Sequence, residues 1–296
     1  MNRFEFGTLV ASLRDDMHWI QMELSAKSGI SLAAIRNIER GERKTLLKDG
    51  ILVKLADGFR LTSMERMEFM FAASGVSEGE IFRKDDDHLT KHFDPNEFLK
   101  QTGEQIARIK IPAFISDPFC DIVMTNHCAR DLYNIPAEML ESAGANIGGY
   151  NMMRYIFDPH SNFFDITNES TWARPAIVNV HYFRKRTLRV RAKPYFAKLL
   201  RELLDHKKYP SFERFWRRIL FEEHDDYSHP FYIVDPKGAH EFITVETLFA
   251  LTPFGELYLQ QILPMNRLTA ERFEKISRKA GEGYELFSPF PDKRKL

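Results

Sequence analysis

The stretch Ile20-Gln-Met-Glu-Leu-Ser-Ala-Lys-Ser-Gly-Ile-Ser-Leu-Ala-Ala-Ile-Arg-Asn-Ile-Glu-Arg-Gly-Glu-Arg43 decides the fold of the first part of this chain. It reads as two short helices joined by a tight turn. On the first helix Leu24 and Ala26 are the candidates for the inner face. Ser28-Gly29-Ile30 makes the turn, where Gly29 supplies a positive φ without a Cβ penalty. Ser31 is placed to cap the second helix through its hydroxyl. On that helix Ile35 and Ile38 lie three apart and share an inward face. Leu32, Ala33, Arg36, Asn37 and Arg40 are then left on the outer surface. Gly41 stops the helix. A short helix held across another by a small apolar core meets the physical requirement for entering a DNA major groove.

The arrangement resembles the Xre/Cro-type, lambda-repressor-like helix-turn-helix family. The matching residues are Leu13-Arg14, Gln21, Leu24, Gly29-Ile30-Ser31 and Ile38-Glu39-Arg40-Gly41. The match continues through the segment from Leu52 to Leu61 and through Met64-Glu-Arg66, well beyond a single short pattern. Leu32, Ala33 and Ala34 stand where many relatives carry polar groups. That leaves Ser31, Arg36 and Asn37 as hydrogen-bonding readers, with Leu32 or Ala33 available to a thymine methyl. The resemblance implies a DNA-contacting set of Gln21, Ser31, Leu32, Ala33, Arg36, Asn37, Arg40, Arg43 and Lys44. An ordinary helical hairpin within a bundle is the competing reading.

Composition sets the outer bounds. The 296 residues are enough for two domains, and 44% hydrophobic with 28% charged residues describes a globular protein. The formal net charge is zero, which excludes a polyelectrolyte that coats DNA indiscriminately. Local charge differs. Between Ser25 and Arg60, Lys27, Arg36, Arg40, Arg43, Lys44, Lys48, Lys54 and Arg60 face only Glu39, Glu42, Asp49 and Asp57. An excess of cations around the proposed reading helix suits phosphate contacts. Cys120 and Cys128 are the only cysteines and form no CxxC pair, so neither a disulfide framework nor a structural zinc site is expected. No signal-like start and no apolar run near the ~20 residues of a membrane span is present. The expectation is a cytoplasmic protein with no membrane partner.

The chain divides into a helix-turn-helix unit over residues 1–82, a linker and connecting helix over 83–110, a second unit over 111–265, and a C-terminal helix and tail over 266–296. Asp94 and Pro95 read as cap and first residue of the connecting helix. That helix could continue a dimer axis or could lie on the second unit. The second unit starts with two strands around Asp117-Pro118, continues with helices at 127–133, 136–143, 152–157, 168–186, 195–205 and 212–223, and ends in three strands. Turns at Pro236-Lys-Gly238 and Pro253-Phe-Gly255 join those last strands. The expected fold is an α N-terminal helix-turn-helix bundle plus an α+β, PAS-like domain with a five-stranded antiparallel sheet covered by helices.

The second unit resembles the MmyB-like ligand-binding domain that follows an Xre-type helix-turn-helix in many bacterial regulators. The matching stretches are Pro112-Ala-Phe-Ile-Ser-Asp117, Asp121-Ile-Val-Met-Thr-Asn126 with Ala129, Asn151-Met-Met-Arg-Tyr-Ile-Phe157, Phe212 to Trp216, and Ser228-His-Pro230. The segment from Phe183 to Tyr195 and the tail after Asn266 depart from the pattern. The resemblance implies a homodimeric, ligand-responsive transcription regulator. Its partners would be a pseudo-palindromic operator in double-stranded DNA and a small hydrophobic ligand, a fatty acid by analogy. An aromatic-lined tunnel suits an alkyl chain, since each buried methylene contributes about 0.8 kcal/mol.

Candidate ligand residues are Phe114, Asn126, Arg154, Phe157, Trp172, Val178, His181, Tyr182, Phe215 and Trp216. Arg154, His181, Tyr182 and Arg184 are the candidate head-group donors by residue type. The competing reading makes the aromatics core and Asn126-His127 a helix-capping pair. No HExxH, GxSxG, P-loop or GxGxxG pattern is present, so neither a catalytic residue, a metal nor a cofactor is expected beyond the fatty acid. Two alternatives of other classes stay open: a lipid-processing enzyme located by its N-terminal unit, and a protein-interaction regulator without a small ligand.

Overall fold

The computed structural model describes residues 1–42, 47, 49–75, 94–135, 149–161, 169–218, 231–234, 240–252 and 255–287. The N-terminal unit consists of α1 (Arg3–Asp16), α2 (Gln21–Ser28), α3 (Leu32–Glu39), α4 (Asp49–Gly58) and α5 (Ser63–Ala73). Asn2 and Thr62 cap α1 and α5 in reciprocal boxes with Glu5 and Glu65. Gly29 takes φ 65° at the end of α2, and the Ser31 hydroxyl accepts from the Ala34 N–H at 3.4 Å. The two helices and turn read from the sequence therefore form as expected. Leu24, Ile35 and Ile38 are buried with Leu9, Val10, Leu13 and Phe59. Ala26 is exposed instead, and Ser28 takes the inner position. Residue 28 lies one turn beyond Leu24 on the same face, whereas residue 26 points away from it.

Close approach of α1 to the end of α3 depends on Gly7. A Cβ there would meet the Ile38 carbonyl oxygen at 2.5 Å.

The second unit opens with α6 (Pro95–Ala107), capped by the Asp94 carboxylate on the Asn96 and Glu97 N–H groups. It continues through β1 (Ala113–Ser116), β2 (Ile122–Asn126), α7 (His127–Leu132), α8 (Met152–Phe157) and α9 (Glu169–Thr187). A 3₁₀ turn (Leu188–Val190), α10 (Pro194–Leu203) and α11 (Phe212–Arg218) follow. The chain closes with β3 (Phe231–Val234), β4 (His240–Thr252), β5 (Gly255–Pro264), α12 (Arg267–Ala280) and β6 (Tyr284–Leu286). The five expected strands form one antiparallel sheet. Within the expected tail, β6 adds a sixth strand at the edge, giving the order β3-β4-β5-β1-β2-β6. The proposed linker of 83–93, the helix of 136–143 and the turn at 236–238 lie outside the described residues.

Both faces of the central strands are covered. Phe114 joins the large core with α8, α9, α10 and α11. Ala113 and Ile115 join Leu99 and Ile106 of α6 on the other side. The connecting helix thus lies against β2 and β6. Among the described residues no helix is long and apolar enough to cross a membrane.

The two units share a buried joint. Leu188, in the 3₁₀ turn of the second unit, belongs to the same apolar cluster as Leu9, Leu13 and Phe69. Around it, Arg191 Nη1 donates to Asp16 at 2.8 Å and Arg184 Nε to Glu65 at 3.2 Å, with both pairs buried. Arg184 also lies 4.5 Å over the Trp216 ring. Burial pushes the Asp16 carboxyl up and the Arg191 guanidinium down to about 10. Glu65 bears the same burial penalty, but Arg184, Arg191 and Thr62 outweigh it and hold that carboxyl below its usual range. Nearer the surface, Arg189 pairs with Glu68 at 2.8 Å, and Lys193 with Glu5 at 2.7 Å.

Two stability predictions follow from this packing. Asp16→Ala leaves the Arg191 charge buried without its partner and should cost about 3–5 kcal/mol in urea denaturation, while Asp16→Leu with Arg191→Met should recover most of it. Gly7→Ala should cost about 1–3 kcal/mol, because the obstructing atom is backbone that must shift. Equal losses in the Asp16 single and the double variant would show that the ionic pair is not what Arg191 needs.

Candidate nucleic-acid interface and ligand pocket

The reading helix is short because its ends are fixed: Ser31 caps the start, and the Gly41 N–H bonds the Ile38 carbonyl at the finish. With Ile35 and Ile38 held inside, Ala33, Arg36, Asn37 and Arg40 are exposed, and Leu32 is half-buried. Arg40 makes only a loose 3.9 Å ion pair with Glu42. Gln21 has a structural task, since its amide donates to Glu39 at 2.7 Å. Arg14 donates to the same carboxylate at 2.7 Å, so Glu39 ties α1, α2 and α3 together. Arg43 and Lys44 lie outside the described residues.

A pocket opens between the sheet and the helices of the second unit. Phe114 of β1 and Ile122 and Thr125 of β2 form its floor. Asn151, Met152, Tyr155 and Ile156 supply the wall from α8 and its cap, and Asn179 comes from α9. Tyr133, Ile135, Gly149, Tyr150 and Phe287 complete the described lining. The cavity volume is about 90 Å³. For comparison, an engineered apolar cavity of roughly 150 Å³ binds benzene. Local sequence explains the wall: the Asn151 side chain caps α8 through the Met153 N–H, so Met152, Tyr155 and Ile156 fall on one helix face.

Phe114 is the one residue of the sequence-derived ligand set in this lining. Asn126 holds the first turn of α7, accepting from Ala129 N–H at 2.9 Å and Ala113 N–H at 3.0 Å, and donates to the Ile109 and Ile111 carbonyls. Phe157, Trp172 and Phe215 pack on one another in the core, with Trp172 and Phe215 centroids 5.0 Å apart, and Trp216 packs on Phe183 and Phe212. Val178 is half-buried, and His181 is buried. Tyr182 accepts from Arg186 at 2.9 Å, and Arg184 belongs to the joint. Arg154 sits near Tyr209, whose phenol burial raises to about 12. Ile122, Thr125, Tyr133, Tyr155 and Asn179 escaped the sequence reading. A helix cap at Asn151 beside two aromatic residues was the available signal for the α8 wall. Cys120 and Cys128 are free and buried, and no group of three potential ligands for a metal occurs among the described residues.

Comparison with known families gives two matches. Residues 10–65 match the helix-turn-helix family, and residues 106–237 match the MmyB-like transcription regulator ligand binding domain. The first unit therefore belongs to the Xre-like helix-turn-helix family and the second to the MmyB-like ligand-binding family, a pairing typical of ligand-responsive transcription regulators. A search of curated proteins gives no significant match.

Asn37→Ala should cost about 1–3 kcal/mol on a mapped operator and relax selectivity at one base pair. Gel-shift titrations at two salt concentrations measure it. Unchanged affinity would remove Asn37 from the reading set.

Proposed function

We propose that the chain is a homodimeric regulator that binds a pseudo-palindromic operator in double-stranded DNA. Ser31, Arg36 and Asn37 of each copy would read base edges in half-sites about one helical turn apart. The second unit would take a small hydrophobic molecule of the fatty-acid or long-chain amphiphile class. The PAS-like reading of that unit is supported by its antiparallel sheet, with β1 between β5 and β2, and by a pocket between that sheet and the helices. Binding and release are the whole of its chemistry, so it needs no cofactor, and it acts in the cytoplasm, where its operator is.

The observation that carries this reading is the exposed Arg36 and Asn37 on a helix anchored by buried Ile35 and Ile38. A ligand can change operator affinity only by binding the DNA-competent and DNA-incompetent arrangements unequally. The joint at Leu188 offers a physical link for such coupling, because α9 carries both pocket residue Asn179 and joint residue Arg184.

Native mass spectrometry of the purified chain should report twice the 34.7 kDa protomer mass with any co-purified ligand. Operator binding should change when that ligand is removed by delipidation and restored on its return. A monomer that binds its operator as a single half-site would end the dimer reading. Operator affinity indifferent to delipidation, with no molecule in the extract, would end the sensing reading and leave DNA binding standing.

A further inference from the structure

We propose that Arg186 is the head anchor of the second unit, so that the molecule filling the pocket is a carboxylate and not a neutral amphiphile. The inference rests on the second unit being a ligand sensor. It names the residue that holds the ligand and the charge the ligand carries.

The first observation is a buried charge that no acid meets. Arg184 pairs with Glu65, Arg191 with Asp16, and Arg189 with Glu68 and Glu256. Arg186, on the same helix as Arg184, is only 8% exposed. Its hydrogen bonds among the described residues go to neutral oxygens. Nη1 donates to the Tyr182 hydroxyl at 2.9 Å and to Ser116 Oγ at 3.2 Å, and Nη2 to the Asp117 carbonyl at 3.1 Å. Asp117 Oδ1 is taken by the Phe119 and Asp121 N–H groups. The rings of Tyr258 and Tyr182 lie 3.2 Å and 5.0 Å from the guanidinium carbon, which orients the charge without neutralising it. Arg186 Nε is buried and has no partner. A guanidinium kept from water without a counter-ion carries a desolvation penalty that an anion removes.

The second observation is where this charge sits. Asn179, which lines the pocket, and Arg186 are two turns apart on one face of α9, roughly 10 Å of helix. Ser116, bonded to Arg186, follows lining residue Phe114 on the same face of β1 and pairs across the sheet with lining residue Ile122. Gln260, opposite Phe114 on β5, donates to Ser116 Oγ at 3.0 Å and reaches the sulfur of lining residue Met152 at 4.0 Å. Only the Met152 and Gln260 side chains thus stand between the cavity and the Ser116–Arg186 pair. Both are unbranched, and Met adapts its shape readily. A ligand with its tail among Phe114, Ile122 and Ile156 would pass its head beside Met152 and take the place of Gln260 at Ser116. One carboxylate oxygen would accept from Arg186 Nε and the other from the Ser116 hydroxyl.

Arg154 is the competing cation, since its Nε and Nη1 are also buried without partners. It is absent from the described lining, and helical periodicity sets it on the opposite side of α8 from Met152, Tyr155 and Ile156.

The test compares octanoate with 1-octanol on the full chain by isothermal titration at pH 7.5. Octanoate should bind at least about tenfold more tightly, a difference of about 1.4 kcal/mol. Arg186→Gln should bring octanoate down to the level of 1-octanol and leave 1-octanol within about twofold. Arg186→Lys keeps the charge but not the planar fork, and should retain part of the preference. Arg154→Gln should keep all of it. The proposal is overturned by 1-octanol binding as tightly as octanoate to the unaltered chain, a ratio that decides the matter even where Arg186→Gln fails to fold. It is equally overturned by a folded Arg186→Gln that keeps the preference, or by Arg154→Gln abolishing it. Each of these results leaves the sensor reading standing. If neither compound binds or alters operator affinity, the anchor and the sensor reading fall together.

Discussion

Four buried charges hold the two halves of this molecule in one arrangement. Asp16 and Glu65 come from the N-terminal helices, and Arg184 and Arg191 from the end of α9 and just beyond it. Such pairs give little net stability, because desolvation consumes most of the Coulomb gain. What they impose is geometry. An Arg191 displaced from Asp16, or an Arg184 displaced from Glu65, leaves a charge in an apolar joint, so intermediate arrangements are penalised. Leu188 sets the depth of the contact by filling a place in the N-terminal core that the first 75 residues leave open. A surface linker could not fix orientation in this way.

This joint gives the second unit its leverage. From Asn179 at the pocket to Thr187 before the 3₁₀ turn, α9 runs eight residues, roughly 12 Å of helix. A rotation or shift of that helix acts directly on Arg184, which is stacked on Trp216 and bonded to Glu65. Tightly packed aromatic rings around Phe157, Phe183 and Phe212 transmit such a shift instead of absorbing it, because close-packed interiors do not deform continuously. The aromatic density of the second unit is thus better understood as stiffness than as pocket lining.

The sequence made the local structure plain wherever one residue type had one physical use. Gly29 needs its positive φ, Ser31 and Asp94 need their N-terminal amides, and Ile35 with Ile38 needs an inner face. Each of these positions holds its expected role in the structure. The strands were legible from alternation and turn residues, except β6, whose three residues are too few to show a period. Long-range pairings were not legible. Nothing in the order of residues says that Glu39 gathers Arg14 and Gln21, that Gly7 exists for the Ile38 carbonyl, or that Leu188 crosses into the other unit's core.

The ligand residues illustrate the same limit from the side of chemistry. Large aromatics and cationic side chains look like a tail tunnel and a head anchor when only their types are known. In the fold, ring planes such as Phe157 and Phe212 meet edge to face at 5.2 Å and leave no room between them. Arg184, meanwhile, is drawn to a carboxylate of the joint, Glu65. A protein that must bury two arginines between its halves has strong reason to spend its best-placed acids on them. Among the described residues the cavity is lined instead by uncharged side chains such as Phe114, Ile122, Ile156 and Tyr133.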